Sequence, residues 1–140
     1  MAAWPAPAWA GSPSATRRSD AAVRAEGGVW EDSALRKLQT AGLRLIQRNW
    51  SCRLGELDLV MRDGDTVVFV EVRYRDESVP GGAMASIGPA KRAKLVKAAS
   101  LFLAQRPALA QQPCRFDVVA FDAEGDSVRC EWQRNAFEAF

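Results

Sequence analysis

Glu71 stands inside Thr66-Val-Val-Phe-Val-Glu-Val-Arg-Tyr-Arg75, a segment that otherwise reads as a strand buried on both faces. Taking an isolated carboxylate out of water costs several kcal/mol even after relaxation, so a buried one is paired, protonated or bound to a metal ion. The preceding apolar segment, Gly55-Glu-Leu-Asp-Leu-Val60, adds Glu56 and Asp58. The two segments are joined by Arg62-Asp-Gly-Asp65, whose Asp-Gly pair is a strong hairpin signal. Strand alternation puts Glu56 and Asp58 on one face, and Glu71, Arg73 and Arg75 on one face of the next strand. Counting outward from the turn sets Asp58 roughly opposite Glu71. An Asp and a Glu on adjacent strands, followed by a cation on the same face, suit a hard divalent ion such as Mg²⁺ or Mn²⁺, which takes one or two carboxylates and keeps waters and phosphate oxygens. Arg73 would then neutralise charge on the phosphate. The same residues also fit a cross-strand ion-pair ladder on a solvated face, which does no chemistry.

These strands need helices to cover them. The stretch from Gly28 to Gly42 reads as an amphipathic helix with Trp30, Ala34, Leu35 and Leu38 on its apolar stripe and Gly42 as its stop. Leu43 to Trp50 is a strand that can pair with the hairpin, giving three strands in succession. After the Gly-rich loop Glu77 to Met84, a second helix from about Pro89 to Gln105 turns Leu95, Ala98, Ala99 and Phe102 inward, with Pro89 at its start and Pro107 beyond its end. Arg115 to Asp122 and Ser127 to Gln133 flank the turn Ala123-Glu-Gly-Asp126 and form a closing hairpin. The order is helix, three strands, helix, two strands.

Gly55-Glu-Leu-Asp-Leu59, Phe69-Val-Glu-Val-Arg-Tyr-Arg75, Lys91 at the start of the second helix, Arg115-Phe-Asp-Val-Val119 and Asn135-Ala-Phe137, in that order, resemble the YraN-like family of small bacterial proteins. The resemblance runs from about Gly28 to Phe137 and implies an α/β, restriction-endonuclease-like fold of the PD-(D/E)xK kind. Its αβββαβ core, a mixed sheet flanked by helices, is shared with Holliday-junction resolvases and many Mg²⁺-dependent nucleases. Carried onto this chain, it makes Asp58 and Glu71 metal ligands, and Glu31 on the first helix a third acid. A solvated helix glutamate is the competing reading of Glu31, and Glu56 belongs to the cluster or pairs with Arg53 or Arg75. The chain departs from the general motif at Arg73, where a lysine is usual. Guanidinium stays charged and cannot act as a base, so water activation falls to the metal or to a lysine from elsewhere, such as Lys91. The resemblance also suggests a homodimer that places two sites on a branched DNA.

Lys91, Arg92, Lys94 and Lys97 fall within two turns of the second helix, with Lys91, Lys94 and Lys97 spaced at three on one broad face. No acid lies between Ile87 and Arg106, a pattern that faces phosphate or is an ordinary solvated surface. Arg73 and Arg75, with Arg17, Arg18 and Arg24 near the N-terminus, extend the positive surface. Nineteen basic against seventeen acidic residues leave a net charge of +2, so a nucleic-acid site must be a local patch. Asp117, in Arg-Phe-Asp, is expected to fix a neighbouring arginine or a backbone amide rather than a metal.

The 140 residues suffice for one domain, read as residues 26–140 behind an Ala-, Pro- and Ser-rich tail over residues 1–25. Ala8-Trp-Ala10 resembles a signal-peptidase site, but no basic region precedes it and prolines interrupt it. No segment is long and apolar enough to span a membrane, and Cys52, Cys114 and Cys130 lack metal spacing and suit reduced thiols in the cytoplasm. The absence of histidine excludes His-based metal sites, triads and His general bases. The reading is a metal-dependent nuclease acting on structured or branched DNA. The alternatives are a nucleic-acid-binding module that has lost turnover and a scaffold whose acids only hold arginines in place.

Overall fold

Near-continuous runs of Val, Phe and other strand-forming residues flank the two Gly-centred turns, and the longer segments with apolar residues at three- and four-residue spacing close into helices. The computed structural model describes residues 3–4, 20–76 and 80–138. In chain order the elements are β1 (Ala3–Trp4), α1 (Asp20–Thr40), β2 (Arg44–Cys52), β3 (Gly55–Asp63), β4 (Thr66–Arg75), α2 (Gly82–Ala85), α3 (Pro89–Ala104), α4 (Pro107–Ala110), β5 (Cys114–Glu124) and β6 (Ser127–Phe137). They build one mixed sheet in the order β1-β6-β5-β4-β3-β2, five long strands with the two-residue β1 at one edge. Every pairing is antiparallel except β4 with β5, which run parallel and are joined by the crossover that carries α2, α3 and α4. This is the restriction-endonuclease-like α/β order expected from the sequence.

Helices cover both faces. Trp30, Ala34 and Leu38 of α1 pack on Leu59, Met61, Val68, Val70, Val119 and Phe121. Leu95, Ala98, Ala99 and Phe102 of α3 pack on Val60, Val67, Phe69 and Phe116 of the other face. Gly42, at φ 101°, stops α1 as expected: its N–H donates to the Gln39 carbonyl and that of Leu43 to the Leu38 carbonyl, the paired bonds of a Schellman stop. The start differs, since α1 begins at Asp20, ahead of the Gly28 expected. Residues 5–19 of the expected tail, with Arg17 and Arg18, lie outside the described residues. No helix among the described residues is long and apolar enough to cross a membrane.

Asp117 ties the far side of the sheet together. It is fully buried and accepts hydrogen bonds from Arg115 Nε (3.0 Å), Trp132 Nε1 (3.0 Å) and the Asn135 backbone N–H (3.0 Å). Arg115 also donates to Asp63 at the β3–β4 turn, at 2.9 Å. The β5–β6 register shifts between Phe116 and Val118, and the Asp117 carboxylate takes the N–H that the interrupted ladder leaves without a carbonyl. The expectation for Asp117 is met, and β6 runs past Gln133 to Phe137 across this irregularity.

Candidate metal centre and phosphate-binding site

The β3–β4 hairpin pairs Asp63 with Thr66 and continues to Leu59 with Val70, so one further step sets Asp58 against Glu71. The ladder stops there because the Asp58 side chain intervenes: its Oδ2 accepts the Val72 backbone N–H at 2.9 Å. Strand alternation fails at the same point. Leu57 is buried on the α3 side and Leu59 on the α1 side, although alternation would place both on one face. Glu56 and Asp58 therefore do not share a regular face as the sequence suggests. Glu56 is exposed and pairs with neither Arg53 nor Arg75.

Glu71 lies on the α3 side and is 6 % exposed. Its Oε1 sits 3.8 Å from Arg73 Nε and 3.8 Å from Lys91 Nζ, while its Oε2 is buried. Burial, and then the charge of Asp58, push the Glu71 carboxyl up to about 8, against the pull of Lys91 and Arg73. Asp58 is raised too, mainly by burial and further by the charge of Glu56, with the Val72 N–H and Lys91 opposing, so Glu56 acts on the cluster although it forms no ion pair with Arg53 or Arg75. Two carboxyls that resist ionising together, with a side-chain hydrogen bond between Glu71 and Asp58 that favours the protonated form, suit a divalent cation that would take the proton's place.

Glu31 approaches from α1. Trp30 stacks on Tyr74 with ring centroids 4.6 Å apart and packs on Phe121 at 4.8 Å, which fixes the rotation of the helix and turns the next residue toward Asp58. Burial and the Asp58 charge raise Glu31 to about 7, opposed by Arg48 and by the Asn49 side-chain amide. Arg48 Nε lies 3.9 Å from Glu31 Oε1, and the same guanidinium pairs with Asp32 and donates to the Gly28 carbonyl at 3.3 Å. The Asp58 charge thus raises both Glu71, on the α3 side, and Glu31, on α1. No group of three or more acids or thiols among the described residues is gathered tightly enough to hold a metal alone.

The basic residues divide. Lys91 stands one turn before Leu95 on the inward side of α3, half-buried, and faces Glu71. Lys94 and Lys97 are exposed on the outer surface, so the three do not share one face. Arg92 donates to the Ile87 carbonyl at 3.3 Å and lies 5.5 Å above the Phe137 ring, away from the acids. Arg75 donates to its neighbour's Tyr74 carbonyl at 2.7 Å, and burial together with Arg73 lowers its pKa. Lys94 also adjoins the β2–β3 turn: a Cβ added to Gly55 would lie 3.4 Å from the Lys94 carbonyl oxygen, so glycine permits α3 to sit this close.

A profile of the uncharacterised protein family UPF0102 matches residues 30–121, the span that carries Glu31, Asp58, Glu71, Arg73 and Lys91. The chain belongs to this family. The UPF0102 protein of Stutzerimonas stutzeri (strain A1501) is 56 % identical over 116 residues, 83 % of this chain and 97 % of that one. That of Ectopseudomonas mendocina (strain ymp) is 59 % identical over 113 residues, 81 % of this chain and 94 % of that one. The resemblance read from the motifs is thus borne out for this UPF0102 member, while the relatives' names give no activity. Two neighbours of its acids escaped the sequence reading. Arg48 carries no signal beyond being a cation in an imperfectly alternating strand, and Asn49 carries none beyond being an asparagine within that strand.

Proposed function

We propose that this UPF0102 protein is a Mg²⁺- or Mn²⁺-dependent phosphodiesterase acting on DNA. The observation that carries the reading is Glu71: a buried carboxylate beside a second acid, Asp58, with one oxygen shared by two cations. Asp58 and Glu71 would hold the ion, with Glu31 as a third acid behind Asp58. When bound, the ion supplies a water of lowered pKa and neutralises phosphate charge. Arg73 binds a non-bridging phosphate oxygen and stabilises the charge that develops on it. Lys91 orients the attacking water or contacts the phosphate from the α3 side, taking the place that lysine holds in the general motif. Lys94 and Lys97 continue the contact along the DNA backbone. Branched DNA, bound by a homodimer, is the substrate that the resemblance to resolvases puts first.

Arg73 also favours a second reading, a DNA-binding module without turnover, because guanidinium cannot exchange the proton that lysine can. Labelled duplex, single-stranded, flap and four-way-junction DNA, incubated with Mg²⁺, Mn²⁺ or EDTA, separates the two. Cutting that needs metal and disappears in both Asp58→Ala and Glu71→Ala supports the nuclease. Salt-sensitive binding without cutting, even in Arg73→Lys, supports the module.

A further inference from the structure

Among the described residues, two that are not glycine hold a positive φ: Asn49 at 52° and Asn135 at 50°. Both stand beside an aspartate that breaks a ladder. Asn135 gives its own N–H to Asp117, where every carboxylate oxygen is satisfied and the role is structural. Asn49 is different. In β2 it falls between the paired steps Arg48 with Leu59 and Trp50 with Leu57, which sets it opposite Asp58 with no ladder pair between them.

Alternation shifts on both strands at this one step. Arg48 reaches the α1 side, where it meets Asp32 and Gly28, while Trp50 meets Phe102 edge-on, 5.3 Å away on the α3 side. Leu59 and Leu57 divide in the same way. A left-handed residue in β2 twists the pair locally, and asparagine is among the few residues with a side chain that adopt this conformation readily. A regular strand would hold the Asp58 side chain upright from the sheet. Here it reaches sideways into the gap beside β4 and takes the Val72 N–H. From there its charge acts on both Glu71 and Glu31, and the Asn49 side-chain amide eases the ionisation of Glu31.

We propose that Asn49 is a positioning residue of the site: its left-handed backbone turns Asp58 out of strand alternation, so that a single aspartate serves both the Glu71 and the Glu31 sides. The proposal deepens the metal-site reading and rests on it for its purpose, although the geometry can be tested without metal.

The test compares the full chain with Asn49→Gly and Asn49→Asp, which tolerate the left-handed region, and with Asn49→Ala and Asn49→Val, which do not. The first readout is amide exchange at Val72 without metal. In Asn49→Val that amide exchanges at least about tenfold faster while the amides of Met61 and Asp63 keep their protection, and in Asn49→Gly it stays near wild type. The second is Tb³⁺ luminescence excited through tryptophan. Affinity falls about 10- to 100-fold in Asn49→Val and Asn49→Ala, the range typical for supports of metal ligands, and much less in Asn49→Gly and Asn49→Asp. Val72 protected as in wild type in folded Asn49→Val, or in Asn49→Ala should the valine variant not fold, overturns the proposal. A wild type that binds no Tb³⁺, with Val72 still released in the variant, overturns the metal reading and supports the positioning role.

Discussion

Lys91 and Arg73 address the same atom: Lys91 Nζ and Arg73 Nε each lie 3.8 Å from Glu71 Oε1. One comes from the helix over the site and the other from the strand that carries the acid, so their duties can be separated. Lys91→Ala is expected to lower metal-dependent cleavage by about 10²-fold or more, the usual worth of a group that handles a proton or orients water. Arg73→Lys should keep most of the activity. Single-turnover cleavage measures both, and an unimpaired Lys91→Ala would return the chemistry to the metal alone.

Glu71 makes the metal-free fold sensitive to alkali. Its carboxyl is held near 8 against an ordinary 4.5, so across that window the folded protein keeps a proton that the unfolded chain has lost. This contribution is complete below about 4.5 and disappears as pH rises through about 8; Glu31 behaves the same way up to about 7. Thermal melts in EDTA should fall over this range, and Glu71→Gln should flatten the fall and melt higher at the alkaline end. Identical pH slopes for the two proteins would contradict the assignment.

Asp58→Asn separates stability from binding. The amide oxygen can still accept the Val72 N–H, while the charge that raises both Glu71 and Glu31 is gone. The variant should melt above the wild type near pH 8 and lose Mn²⁺ binding in calorimetry, the exchange seen where function requires an unfavourable cluster.

Asp117 predicts the reverse. Replacing it with Ala leaves Arg115, the Trp132 indole and the Asn135 N–H without their acceptor in a buried setting. The cost should be about 3 kcal/mol, read as a lower urea midpoint, with Mn²⁺ affinity of the folded protein unchanged.

The proposed contact of Lys94 and Lys97 with a DNA backbone can be read from salt dependence. Anisotropy titrations across salt concentrations should show the slope of log K against log salt shrinking by roughly 0.9 for each lysine replaced by alanine, if each meets one phosphate of a duplex. Unchanged slopes would remove the outer face of α3 from the interface.

Much of this was legible because it is local. The Asp-Gly turn set Asp58 roughly opposite Glu71, one step past the last ladder pair, and the Leu95-Ala98-Ala99-Phe102 stripe fixed which side of α3 is covered. The same stripe, extended one turn back, points Lys91 inward, whereas spacing at three grouped it with Lys94 and Lys97. What stayed hidden depends on departures from regular strands. Nothing in Gln47-Arg-Asn-Trp50 announces a left-handed residue, and no pattern shows that Asp58 would reach for a backbone N–H and leave the alternation. Arg48 found its partners through α1, whose rotation is set by Trp30 on Tyr74, a contact between residues far apart in the chain.

The connection between β4 and β5 carries α3, so the helix that covers Glu71 is also the one that brings Lys91 to it. Cover and counter-ion are one element: a displacement of α3 that takes Lys91 from the carboxylate also readmits water to it, so Glu71 is not left both dry and without its lysine.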